Sequence, residues 1–433
     1  MIYFFCCDDE VVFVRGLNND TKEPEGHFNF MIRLEEIPQK CKTDHLLLLV
    51  GNNALPNFVA ANLLSHDQTT VHILHTDNTG RVAKALDGAI AQRRPEVQTF
   101  FWQIDVADSV EITEQVGSVL RSIKRDESIG MNYTGGTKAM SVHGYLAATA
   151  HRNDVVFSYL DAQTLSLRID GGVAEQSIRI DARDLCPVDL DTLVRIHGYS
   201  GFKKVLVQES NVERSKIIDA LLKIHLDVDG FQQWERYLTF EKELTALPSL
   251  DTYPELAPFV ACVREHCGAK ATTSDLAKLL GEKEQLVSYR KWLNAEWLEE
   301  YTLGVVQAIA AEITIDDWGM GLEPISGRRK GAQPLFELDV AAMRGYQLYA
   351  ISCMASTRKD ACQEHFFESY IRSRQLGGDE ARAALVCFSD KPHQLETKIQ
   401  ESWLTSGDVR VFGREHLSDL QKHLRQWFET PNK

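Results

Sequence analysis

The stretch His45–Asn53, HLLLLVGNN, decides how the chain folds. Its apolar run from Leu46 to Val50 has no polar break and stops at Gly51-Asn52-Asn53. A strand wet on one face alternates apolar and polar residues. A continuous run is buried on both faces, as in a parallel sheet covered by helices. A helix is expected from about Pro56 to Ser65, with the proline early, where its missing N–H costs little. The same unit then recurs. Val71–His75 reads as a strand and Arg81–Arg93 as a helix with Val82, Ala85, Leu86, Ala89 and Ile90 on one face. Phe100–Ile104 is a third strand, Val110–Lys124 a third helix, and Ser128–Tyr133 a fourth strand. Strands alternating with helices predict an α/β domain with a Rossmann-like, doubly wound parallel sheet.

Ligands of such sheets bind outside the carboxyl ends of the strands. Three polar turns fall there: Gly51-Asn52-Asn53, Thr76–Thr79 and Thr134-Gly135-Gly136-Thr137-Lys138. The third opens a predicted helix. Paired glycines let backbone N–H groups approach a ligand, and a helix N-terminus favours anions. One lysine and two threonine hydroxyls complete a phosphate cradle. A tight strand-to-helix turn also uses Gly-Gly for steric reasons alone, and at this point both readings stand. The first strand is followed by GNNALP, not GxGxxG, which disfavours an ordinary NAD or FAD site.

The 433 residues suffice for two or three domains with their own cores. With 44% hydrophobic and 25% charged residues the composition is that of a soluble globular protein. The net charge of -15 excludes a generic polyanion binder, so any nucleic-acid contact needs a local basic cleft. Nine scattered cysteines without zinc-like CxxC pairs read as reduced thiols. The start lacks a basic leader and no apolar run spans a bilayer, so a cytoplasmic protein with no membrane contact is expected.

After the parallel unit, Val155–Tyr159 and Ser166–Ile169 read as a hairpin, with a further strand at Ser177–Ile180. From Leu190 to Gln285 the pattern is mostly helical, with Ile217–Ile224, Phe231–Phe240 and Leu276–Leu280 marking helices. Trp292–Ala311 reads as a strong helix. Ile313–Ile315 follows, then a polar loop to Gln333 and strands Leu335–Met343 and Gln347–Cys353 about a turn at Gly345. A long helix over Asp360–Gln375 ends at Gly377-Gly378. Ala383–Ser389 is a buried strand, and Glu415–Phe428 a closing helix.

Glu337 and Asp339 flank Leu338 on the first of those strands, and a period of two places them on one face. Like charges side by side are costly unless solvated or bridged by a cation. Glu299 or Glu300 on the preceding helix would bring a third carboxylate. Such clusters hold Mg²⁺ or Mn²⁺, which activate water and stabilise phosphate-ester cleavage.

The segments WLEEY, FELDVAAMRGYQLYAISC, FFESYIRSRQLGG and ALVCFSD resemble, in order, the PD-(D/E)xK restriction-endonuclease-like domain of CRISPR-associated CARF nucleases. The front half resembles their CARF domain through HLLLLVGNN, MNYTGGTKAM and LVRIHGY at Leu193–Tyr199. On that resemblance the chain divides into an N-terminal extension (1–42), a CARF domain (43–189), a helical connector (190–290) and a nuclease-like domain (291–433). The resemblance implies a homodimeric type III CRISPR ancillary effector. Two CARF domains would bind one cyclic tetra- or hexa-adenylate, which switches on metal-dependent cleavage of RNA or DNA. Gly51, Asn52, Asn53, Thr76, Thr134, Gly135, Gly136, Thr137 and Lys138 match its ligand loops. Glu299, Glu337 and Asp339 match the metal-holding acids. The following strand should carry Glu-x-Lys or Ser-x-Lys, and here reads Ser352-Cys353-Met354. Ser352 keeps the first position. Met354 cannot supply the lysine's charge, so Lys359 is the expected substitute, with Lys330 on the preceding loop a further basic residue. The alternative is a cyclic oligoadenylate-sensing regulator with an inactive nuclease fold. A nucleotide-binding α/β enzyme outside CRISPR is disfavoured by the missing GxGxxG and by the acidic hairpin.

Overall fold

The computed structural model describes residues 6–7, 10–11, 31–32, 37–171, 177–205, 212–240, 246–279, 290–325, 336–403, 405 and 409–431. Contacts divide the chain into Met1–Phe30 and Met31–Lys433. In the short N-terminal unit, Cys6–Cys7 pairs antiparallel with Glu10–Val11. Lys330 and Leu335 lie outside the described residues, as does most of the N-terminal extension.

The larger unit is α/β, and its first sheet grows from the stretch quoted above. His45–Val50 lies between Ile129–Asn132 and Thr70–His75, parallel to both, with Leu47 opposite His72 on one side and Met131 on the other. Gln98–Gln103 forms one edge, and Val156–Asp161 adds a fifth parallel strand beyond Ile129–Asn132. The expected hairpin follows, Val156–Asp161 against Ser166–Gly171, and then Ile178–Asp181. The last strand, Met31–Ile32, comes from the region read as an N-terminal extension without assigned chemistry. Leu46, Leu48 and Val50 point into one core and Leu47 and Leu49 into another, which is why the run is apolar throughout.

The edge strand is stitched to its neighbours by a directed chain. Trp102 can only donate, so its indole N–H donates to His72 Nδ1 at 3.0 Å. His72 Nε2 then donates to His45 Nδ1 at 3.0 Å, and His45 Nε2 to Glu127 at 3.2 Å. Burial, with His45 beside it, pushes the His72 imidazole down to about 4, which keeps it neutral in this chain.

The second sheet has six strands in the order Phe202–Val205, Asp317–Pro324, Leu338–Arg344, Gln347–Met354, Arg382–Cys387, Val409–Phe412. The first four are antiparallel and the last three parallel. Two strands correct the sequence reading. Phe202–Val205 falls in the region read as helical, and Asp317–Pro324 falls in the stretch read as a polar loop. Both are short on local β signal: one carries Lys203-Lys204, the other Gly319 and Gly321. Each owes its form to pairing with a strand distant in sequence, which overrides local propensity. The helix Pro392–Trp403 and the strand Val409–Phe412 were also not anticipated.

The helical segments Val212–Leu226, Val228–Phe240 and Ala257–Cys267 pack with Trp297–Ile313 onto one face of the second sheet, through Trp234, Phe259, Trp297, Val340 and Ile351. The opposite face, through Ala341, Met343, Leu348 and Ala350, shares a core with Phe58, Leu86 and Leu193 of the first sheet's helices. The two sheets are therefore joined by buried apolar contact rather than by a linker alone.

Candidate functional site

At the carboxyl edge of the first sheet the three polar turns come together. A Cβ on Gly51 would lie 3.0 Å from the Gly136 nitrogen, so the first and third of these turns touch. Gly135 has a steric role: a Cβ there would lie 2.2 Å from the Leu49 carbonyl oxygen. Gly136 has φ +75, the left-handed region that glycine enters freely. The threonines are committed to the fold as well. Thr134 Oγ accepts from Leu160 N–H at 2.7 Å. Thr137 caps the helix Lys138–His151 by accepting from Met140 N–H, and its hydroxyl donates to the Val106 carbonyl at 2.7 Å. What faces outward is Lys138, exposed at the first helical position, with exposed Asn52 on the neighbouring turn.

Two features here were not read from the sequence. Asn57 is completely buried, donates to the Leu49 carbonyl at 3.0 Å, and its Oδ1, beside Gly135, has no hydrogen-bond partner among the described residues. A cavity of about 190 Å³ lies between Thr76, Asp77, Asn78, Gln103, Ile104, Asp105, Val106, Glu111 and Gln115. Its carboxylates repel a phosphate, while side-chain amides are the groups that read a purine edge. Asn53 turns elsewhere. Its Oδ1 accepts from Leu55 N–H at 3.0 Å, and its amide nitrogen abuts Gly378 of the second sheet's layer.

The second constellation centres on Asp339, half-buried on the strand Leu338–Arg344. Asp339 Oδ2 accepts from Cys353 N–H at 2.8 Å and from buried Ser352 Oγ at 3.2 Å. His365 Nε2, from the helix Lys359–Gly377, stands 3.2 Å from the same oxygen. Glu299 is buried on Trp297–Ile313, one turn after a π-helical segment, Trp292–Glu296, a widening often found at functional sites. Burial first, then the nearby Asp339 and Glu337, push the Glu299 carboxyl up to about 9. Glu337 sits one residue before the strand starts, near Asp339, and both carboxylates act on Glu299. The Glu337 carboxyl is also raised, by partial enclosure and by Asp339, with Lys291 opposing. Two acids that resist ionising beside a third form a donor set that a divalent cation would relieve. The three do not close tightly: among the described residues, the group of three metal-capable ligand atoms within 4.8 Å of one another is His393, Glu415 and His416.

Lys359, the expected substitute for the missing lysine, is exposed at the start of its helix, and among the described residues no hydrogen bond ties it to these carboxylates. Met354 packs against the small core of Cys362, Phe366 and Leu385. The basic group that does meet Asp339 is His365, which the sequence reading passed over.

This arrangement of helix, acidic hairpin, helix and parallel strands carries a family signature. Residues 287–430 match the family model of the Card1-like endonuclease domain. Over nearly the whole chain the fold resembles two solved structures. Protein VC1899 from Vibrio cholerae is 17% identical, with a TM-score of 0.68 over 89% of this chain and 98% of that one. Can2 from Sulfobacillus thermosulfidooxidans, solved in complex with cyclic tetra-adenylate, is 16% identical, with a TM-score of 0.64 over 92% of this chain and 100% of that one. At these identities the likeness is one of fold. No curated protein matches the sequence. No helix among the described residues is long and apolar enough to cross a membrane.

Proposed function

We propose that this chain is a metal-dependent endonuclease of type III CRISPR antiviral defence, switched on by a cyclic oligoadenylate and hydrolysing phosphodiester bonds in RNA or DNA. The observation that carries the reading is that a Card1-like endonuclease domain shares a buried core with a Rossmann-like sheet whose ligand edge is polar. The fold likeness to Can2, a protein seen with cyclic tetra-adenylate, supports the choice of activator.

On this reading Lys138 and the first N–H groups of Lys138–His151 meet phosphates, as a helix N-terminus does. The amide-lined cavity takes an adenine base. A two-fold ring needs two such edges, so the working species is a homodimer. The exposed Val142 and Leu146, on the helix that begins at Lys138, form an apolar face suited to a second copy.

In the nuclease domain, Glu299, Glu337 and Asp339 would hold Mg²⁺ or Mn²⁺, which supplies a water acidified toward neutral pH and charge opposite the phosphate oxygens. The chain's own part is to fix Asp339 by the Cys353 N–H and the Ser352 hydroxyl and to exclude water around Glu299. One observation favours a second reading, a sensor with an inactive nuclease fold. Met354 spends its side chain on packing, so no charge reaches the site from the position where the family carries lysine.

Calorimetry with cyclic tetra-adenylate and cyclic hexa-adenylate tests the sensing half. One ring should bind per two chains, and Lys138→Ala should weaken binding about 10-fold or more, as loss of a charge-assisted contact does. Absence of binding by either ring removes the sensing reading.

A further inference from the structure

The pattern at the nuclease site leaves it short of ligands. The strand Gln347–Met354 carries Ser352, which adds no carboxylate, and Met354 in place of the lysine, and Glu299, Glu337 and Asp339 do not form a three-ligand group within 4.8 Å. Across the sheet face, the helix Lys359–Gly377 brings His365 Nε2 to 3.2 Å from Asp339 Oδ2. Asp339 cannot turn away, because its carboxylate is already held by the Cys353 N–H and the Ser352 hydroxyl. His365 is partly open to solvent, with its side chain 46% exposed, so a hydrated cation can reach it.

We propose that His365 is a nitrogen ligand of the divalent cation, paired with Asp339, and that it completes the site that Glu299, Glu337 and Asp339 leave open. The inference rests on the metal-dependent reading above. Ligand atoms about 2.1 Å from a metal and at right angles are about 3 Å apart. The His365–Asp339 pair already stands at that separation, so binding needs no rearrangement of either backbone. The metal takes the Nε2 lone pair, the ring proton resides on Nδ1, and any second proton leaves to solvent. One imidazole among oxygen ligands biases the site away from Mg²⁺ and toward transition-metal ions, Mn²⁺ included.

The test is pulsed electron paramagnetic resonance on the full chain, stripped of metal and loaded with Mn²⁺. The wild-type chain should show nitrogen hyperfine coupling to the bound ion. His365→Gln, which keeps a hydrogen-bonding side chain, should lose that coupling and bind Mn²⁺ about 10–100-fold more weakly, the range seen when support of a metal site is removed. Mg²⁺ affinity should fall less. The group of His393, Glu415 and His416 is the competing source of nitrogen. Asp339→Ala separates the two, since coupling from the proposed site must vanish in it. Mn²⁺ bound in an Asp339-dependent way but without nitrogen coupling overturns the His365 assignment and leaves the metal-dependent reading intact. No Asp339-dependent Mn²⁺ binding at all removes that reading, and this inference with it. Where a variant at Asp339 fails to fold, His393→Ala with His416→Ala removes the competing imidazoles, so that any nitrogen coupling left comes from the proposed site.

Discussion

Glu299 shows how a single carboxyl can report on the whole site. Its folded value of about 9 lies far above that of an unfolded glutamate, so between roughly pH 4.5 and 9 the folded chain holds a proton that the unfolded chain does not. Metal-free stability therefore falls as pH rises through that window. Buried Glu380, pushed up to about 7 mainly by burial, acts in the same direction over the lower part, and buried Cys186, Cys353 and Cys387, whose thiols burial raises, do so toward pH 9, so the share of Glu299 is the difference between wild type and variant. Glu299→Gln should make the decline between pH 7 and 9 shallower in thermal melts with a chelator, and should leave the melting temperature at pH 8 equal or higher. A decline unchanged in the variant would show that Glu299 is already ionised. At this scale the sequence was partly legible. Asp339 could be read from a carboxylate on an apolar strand, whereas the choice of Glu299 over Glu300 came from the resemblance. His365 could not, because it lies on a mostly polar helix. Only the crossing of that helix over the strand makes it a neighbour of Asp339.

Among the elements, the helix Lys359–Gly377 spans the distance between the two sites. Its first half carries His365. At its other end the Leu376 carbonyl accepts from His197 Nε2 at 2.8 Å, in the segment leaving the first domain. Its cap, Gly378, has φ +65 and ψ -151, a region nearly reserved for glycine. A Cβ there would also lie 2.0 Å from Asn53 Nδ2 on the first ligand loop. Gly378→Ala should destabilise the chain by about 1–3 kcal/mol from the backbone alone, read by urea denaturation. It should also weaken the response of cleavage to the activator, because Asn53 must move. A loss under about 0.5 kcal/mol, within the range of ordinary surface changes, would contradict the account of this contact. The helix and its glycine end were readable from periodicity and cap chemistry. Its contact with Asn53 was not, since the partners are far apart in sequence. The strands Phe202–Val205 and Asp317–Pro324 were missed for the same reason.

For the molecule as a whole, the apolar run Leu46–Val50 and its repeats revealed a parallel α/β sheet because a strand buried on both faces leaves no other pattern. The second domain was legible mainly through resemblance, its local signals being weak. What no periodicity could show is that one core runs from Phe58 and Leu193 to Met343 and Ala350, so that the ligand edge and the acidic site belong to one packed body. That continuity is why the account makes the first sheet a switch for the second. The most direct measurement is cleavage of labelled single-stranded RNA and supercoiled DNA in Mn²⁺, with and without cyclic tetra- or hexa-adenylate, by the wild-type chain and by Asp339→Ala. The account predicts cleavage of one substrate or both that appears only with an activator and is lost in Asp339→Ala. Cleavage independent of any ring, cleavage that survives Asp339→Ala, or tight ring binding with no cleavage in any divalent metal would contradict it.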